Sequence, residues 1–204
     1  MSAAIYLEGG ANGANSKFLD IICERAFHKL LDRMGFTGRK PRLIACGGRD
    51  DVFNRFKTAL RDPGDNYIAM WIDSEDPMAD IEQAWRHLAE VTTVATWPKP
   101  PGAADDQVLF MTTCMETWIV ADRAALHEHY KQHLNENPLP HTIGLESRLR
   151  HDVQQALETA TKNCKNGFSK GKRSFEIFEK LDHVALLQHL PSFARVARIL
   201  KNKL

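Results

Sequence analysis

Tyr67-Ile-Ala-Met-Trp-Ile72 runs directly into Asp73-Ser-Glu75-Asp76-Pro77. Six successive apolar residues without alternation predict a strand buried on both faces, as in a parallel sheet covered by helices on either side. The acidic run marks where that strand gives way to a turn. Toward the N-terminus, Pro41-Arg-Leu-Ile-Ala-Cys46 reads as another strand, closed by Gly47-Gly48, and Ile5–Leu7 as a third, closed by Glu8-Gly9-Gly10. Between those two, Phe18, Ile21, Ile22, Phe27, Leu30, Leu31 and Met34 fall on one helical face, with Ser16 as N-cap and Gly35 as stop. Asp50 or Asp51 caps a second helix carrying Val52, Phe53, Phe56 and Leu60.

Toward the C-terminus the pattern predicts a helix around Ile81–Val91 and a loop over Thr92–Asp106 containing Trp97-Pro-Lys-Pro-Pro101. A fourth strand follows at Val108–Thr113, then helix over Met115–Ala121 and a further helix, Arg123–Leu134, capped by Asp122. Strands alternating with helices give an α/β fold, a central, mostly parallel sheet of about four strands flanked by helices. That core is assigned to residues 1–134. After Asn135 the pattern is helical only, at Ser147–Asn163, Ser174–Leu190 and Ser192–Lys203, so residues 135–204 are expected as a helical extension packed on the core.

Composition narrows the function classes. In 204 residues, 43% are apolar and 26% charged, which supports a sizeable core and excludes disordered, collagen-like and disulfide-scaffold classes. Lys and Arg number 27 against 26 acids, so net charge by itself points to neither nucleic acid nor membrane. Cys23, Cys46, Cys114 and Cys164 form no C-x-x-C pair and read as reduced, mostly buried thiols. The start, MSAAIYLEGG, lacks a secretory pattern, and no apolar run approaches the roughly 20 residues of a membrane span, so a cytoplasmic location is expected.

Ligands of open parallel sheets bind beyond the carboxyl ends of the strands. Glu8 closes the first strand, and Asp73, Glu75 and Asp76 follow the third, so neighbouring strands would bring these carboxylates into one crevice. Crowded carboxylates stay ionised most easily around a hard cation such as Mg²⁺, which can polarise a phosphodiester and activate water. The plainer alternative makes Asp76 the cap of a helix starting at Pro77 and the other acids solvated turn residues. Glu116, just beyond the fourth strand, is either a further ligand or a helix-start acid beside a core Trp118.

The turn Glu8–Asn15 offers backbone N–H groups but is no Walker A loop, and Gly47-Gly-Arg49 places a cation that can meet phosphate. Lys162, Lys165, Lys170, Lys172 and Arg173 form an acid-free stretch around Phe168, suited to nucleic-acid phosphates or simply solvated, with Phe168 stacking on a base or anchoring the loop. The nine histidines include no H-E-x-x-H, and no G-x-S-x-G is present, so nucleophilic catalysis is not supported.

Y-L-E-G-G after a first strand and I-D-S-E-D after a third resemble the TOPRIM signature of topoisomerases, primases, small ribonucleases and OLD-family nucleases. More narrowly, I-Y-L-E-G-G, P-R-L-I-A-C-G-G-R-D-D, W-I-D-S-E-D-P, D-D-Q-V-L-F-M-T-T-C-M-E-T-W-I-V-A-D and S-K-G-K-R-S-F-E make the chain similar to a family of small TOPRIM-like bacterial proteins. The resemblance implies a TOPRIM-like (Rossmann-like) fold and a Mg²⁺ (or Mn²⁺) site. Glu8 would be general acid or base, and Asp73 with Glu75 would be the acidic pair. Glu75 stands where Asp is usual, so Asp76 is an alternative ligand, with Glu116 as a further one.

The activity implied is a metal-dependent nuclease acting on DNA or a structured RNA such as tRNA. Arg49 and the cations at 162–173 would hold the substrate. The setting implied is antiphage defence beside an ABC- or OLD-type ATPase, and a homo-oligomer is compatible with it. The rival expectation is a catalytically silent binding subunit or sensor docked on such an ATPase.

Overall fold

The computed structural model describes residues 2–10, 16–61 and 64–204, excluding the side chain of Ser16. Four parallel strands, β1 (Ala3–Leu7), β2 (Arg42–Ala45), β3 (Tyr67–Asp73) and β4 (Val108–Met111), form one open sheet in the order β2-β1-β3-β4. The fold is α/β, as the alternation of strand and helix predicts, and Rossmann-like, as the resemblance implies. The strand order places β1 and β3 side by side, with Leu7 opposite Trp71.

Alternate residues of each strand feed two different cores, the two-residue period of a pleated sheet. Ile5, Leu7, Ala69, Trp71, Leu109 and Met111 face one side, against α1 (Ser16–Arg33) and the helices after β4. Ile68, Met70, Ile72, Val108 and Phe110 face the other, against α2 (Arg49–Arg61), α3 (Ala84–Glu90) and Trp97. Burial on both sides explains why the third strand is apolar throughout.

The chain after β4 gives α4 (Met115–Ala121), α5 (Arg123–Tyr130), α6 (Arg150–Thr161), α7 (Lys172–Phe178), α8 (His183–His189) and α9 (Pro191–Lys203). These helices share the α1-side core. Phe27 packs on Trp71 and Phe178, and Trp118 on Phe178 and Phe193. Buried Arg195 of α9 donates hydrogen bonds to the carbonyls of Val108 and Asp105, tying the last helix to the start of β4.

Several boundaries follow local chemistry. Asp122 caps α5 by accepting from Ala125 N–H, as expected, and its other oxygen accepts from Asp182 N–H. The helical pattern at 174–190 is two helices, because Asp182 accepts from Val184 N–H and starts α8 afresh. Pro77 opens no helix, and α3 begins only at Ala84. Among the described residues all four cysteines are free thiols, three of them buried, and no helix is long and apolar enough to cross a membrane.

Candidate active site

The pairing of β1 with β3 brings two carboxylates together at the carboxyl edge of the sheet. Glu8 N–H donates to Trp71 O at 2.9 Å, continuing the ladder, and its Oε2 accepts from Asp73 N–H at 3.0 Å. Asp73 Oδ1 in turn accepts from Met115 N–H at 2.9 Å, which satisfies the start of α4, where Cys114 gives no side-chain cap. Each acid thus commits one oxygen to a main-chain donor. Among the described residues no hydrogen bond reaches the other oxygen of either.

Glu8 and Asp73 line a cleft of about 200 Å³ together with Glu116, Lys170 and the Gly9-Gly10 turn. Glu116 is buried in the first turn of α4 and accepts from Gln154 Nε2 at 3.1 Å. Gly9 has φ +142°, and a Cβ there would lie 2.8 Å from Cys23 Sγ and 3.2 Å from the Phe175 ring. The wall of the cleft therefore needs glycine. Residues 11–15 of the glycine-rich turn lie outside the described residues.

The electrostatics are those of crowded acids. Burial first, then the charges of Glu8 and Glu116, push the Asp73 carboxyl well above the ordinary carboxylate range, while Lys170 and Arg150 pull it down. Burial also raises Glu8, opposed by the Asp73 N–H and by Arg49, Arg150 and Lys170. A cation entering between these acids would relieve both.

The other expected residues divide. Arg49 lies close by: its Nη1 donates to Asp73 O at 3.0 Å and its guanidinium stacks 4.1 Å over the Trp97 ring. Glu75 and Asp76, expected in the same crevice as Asp73, are turned away. Glu75 takes φ +71°, donates its N–H to Thr113 O, and forms an ion pair with Arg150. The Asp76 carboxylate accepts from the N–H groups of Thr92 and Thr93 and from the Thr92 hydroxyl, and these bonds hold it below the ordinary range despite some burial.

Of the cationic stretch, only Lys170 lines the cleft. Lys162 and Lys165 are exposed, Lys172 lies 3.6 Å from Glu176, and Arg173 donates to Gly167 O. Phe168 is buried, and its N–H donates to Thr161 Oγ1, so it anchors the loop.

Sequence reasoning missed Arg150 and Gln154. A signal exists: Arg150, Gln154, Leu157 and Thr161 recur at helical spacing, so two polar residues continue a buried stripe toward the cleft.

Among the described residues, no three His, Cys, Asp or Glu side chains come together as a ready metal cage. The all-oxygen donor set still fits Mg²⁺ or Mn²⁺. Mg²⁺ keeps several waters and takes one or two carboxylates with substrate oxygens filling the shell.

The chain belongs to the family described as a domain of unknown function, DUF4276, whose model matches residues 13–201. The matched span includes Arg49, Asp73, Glu116 and Lys170 and begins beyond Glu8. A search of curated proteins found no match. A search of solved structures likewise found none.

Proposed function

We propose that the chain is a Mg²⁺- or Mn²⁺-dependent hydrolase of nucleic-acid phosphodiesters, with the Glu8–Asp73 pair at its centre. The observation that carries this reading is the placement of two mutually repelling carboxylates on adjacent strand ends, facing a cleft that also receives Lys170. Asp73, with Glu116 beside it, would hold the ion, which when bound supplies a Lewis acid for a phosphoryl oxygen. Glu8, which lines the same cleft and commits only one oxygen to a main-chain donor, would be the group to exchange a proton with water or the leaving oxygen. Lys170, an exposed ammonium at the cleft, meets the phosphate charge, and Arg49 braces the Asp73 main chain from below. Glu75 and Asp76 serve the loop rather than the ion in this reading.

The resemblance supports phage defence as the setting and an ABC- or OLD-type ATPase as partner. A second reading, the silent docking subunit, is favoured by Val184 and Leu187, which stand 56% and 44% exposed one turn apart on α8. The deciding experiment incubates the purified chain with plasmid DNA and with tRNA, with and without Mg²⁺ or Mn²⁺, beside Asp73→Asn and Glu8→Gln. Metal-dependent cleavage by the wild type alone is the expected result. Absence of cleavage on either substrate, with stable co-purification of an ATPase, overturns the hydrolase reading in favour of the second.

A further inference from the structure

A second and larger concavity, about 760 Å³, lies on the opposite side of the sheet from α1, between α2 and the segment Trp97–Pro101. Its size falls within the range of small-molecule sites, about 300–1,000 Å³. Asp50, Phe53, Asn54, Lys57, Leu60 and Arg61 reach it from one face of α2, at helical spacing. The facing wall is Trp97-Pro-Lys-Pro-Pro101.

The groove is preformed. Trp97 N–H donates to Leu88 O at 2.9 Å, and Trp85 Nε1 donates to Ala104 O at 3.0 Å, fixing the proline segment to α3 at both ends. Phe53 and Trp97, both buried, stack with ring centroids 4.3 Å apart and planes 8° from parallel, bracing α2 against the proline segment beneath the groove. Three cations, Lys57, Arg61 and Lys99, line the groove against one acid, Asp50. The Lys57 ammonium sits 4.4 Å over the Phe53 ring, on a flexible stem that can swing toward an anion. Lys99 is held only loosely, 3.9 Å from Asp105.

A purely apolar ligand would leave three cations unused, and a bare phosphate would leave the Leu60 and proline surface unused. We infer that this groove binds a nucleoside phosphate, its ring against Leu60 and the proline surface and its phosphate among Lys57, Arg61 and Lys99. The ligand chemistry has two sources, a free nucleotide or one residue of a single strand. The site is separate from the carboxylate cleft and is linked to it through Arg49, shared between the Trp97 ring and the Asp73 carbonyl. Its occupancy requires no metal and no cleavage.

The test is equilibrium binding to the full chain in EDTA, so that failure of the hydrolase reading and failure of this one are separable. The probes are AMP, adenosine, inorganic phosphate and a short single-stranded oligonucleotide. Saturable binding of AMP or of the oligonucleotide, stronger than that of adenosine or phosphate, is expected. Lys57→Gln with Lys99→Gln should weaken it by about tenfold, and Asn54→Trp, which projects a bulky ring from an exposed helix position, should block it. Lys29→Gln, exposed on α1 on the other side of the sheet, should leave it unchanged, and circular dichroism of each variant verifies folding. AMP bound without the oligonucleotide identifies a free nucleotide, and the reverse identifies a strand. Absence of saturable binding for both, or binding unaltered in both groove variants, overturns the inference.

Discussion

Asp73→Asn should make the metal-free protein more stable at neutral pH while removing its response to Mg²⁺. The substitution keeps an oxygen able to accept from Met115 N–H and the main-chain N–H that holds Glu8, so the scaffold is preserved. What it removes is charge. Two unit charges about 4 Å apart at an effective dielectric of about 20 repel by about 4 kcal/mol. Lys170 and Arg150 offset part of this, leaving an expected gain of about 2 kcal/mol, or about 4–8 °C in the melting midpoint. The pH dependence has a definite sign. Because the Asp73 and Glu8 carboxyls are raised in the folded state, the fold binds their protons more tightly than the unfolded chain does. Their contribution is therefore fully present below the ordinary carboxylate range and is lost as pH rises through that range toward the raised folded values. The variant should match the wild type at acid pH and exceed it increasingly as pH rises. Saturating Mg²⁺ should restore the wild type, by about 2.7 kcal/mol at a hundredfold excess over its Kd, and leave Asp73→Asn unmoved. Thermal unfolding followed by circular dichroism, in EDTA and in Mg²⁺ across pH, measures all of this. A variant less stable than wild type at neutral pH, or one that gains as much from Mg²⁺, refutes the electrostatic reasoning.

Arg150→Gln leaves the buried Glu75 carboxylate without its ion-pair partner; since Arg150 is about one-third exposed, a loss of about 2 kcal/mol is expected at neutral pH, shrinking in acid, as denaturant titration would show. Phe193→Ala on α9 removes a ring packed edge-on against Trp118 and should cost about 3–5 kcal/mol. The whole chain should still melt in a single transition, because the C-terminal helices share the core of the sheet. Burial pushes the Cys23 and Cys114 thiols far up and that of Cys46 to about 11. Native protein should accordingly give one thiol reactive toward Ellman's reagent, at half-buried Cys164, and four after denaturation.

The sheet was readable because burial on both faces forces continuous apolar runs such as Tyr67–Ile72, which turn residues bound too closely for a helix. Glu8 and Asp73 were readable for the same reason, since each ends a strand whose position is set by its own hydrophobicity. Glu75 and Asp76 were not, although they lie within three residues of Asp73. Past the end of a strand the direction of a side chain depends on one or two dihedrals, and Glu75 at φ +71° breaks the pleat. Its partner Arg150 and Asp76's partners Thr92 and Thr93 come from other segments, and spacing alone says nothing about them. The same limit applies to the cationic stretch, where five charges look alike in sequence and only the docking of the loop through Phe168 and Thr161 selects Lys170. The 174–190 helix failed for a different reason: the apolar spacing persists across the break, and the cap at Asp182 outweighs it locally.

The sheet places β1 inside and recruits α9, made long after it, for the core, and this orders events on the ribosome. Once β3 has emerged, β1 can be flanked on both edges, bringing Glu8 against Asp73 while most of the chain is still unmade. Arg49, already made, moderates Glu8, but Arg150 and Lys170, which moderate both acids, arrive much later, and Phe193, which seals Trp118, later still. During synthesis the nascent protein therefore carries an only partly compensated acidic pair beside a half-covered apolar face. The two liabilities end together, when the last helices dock and deliver both the missing charge and the missing cover.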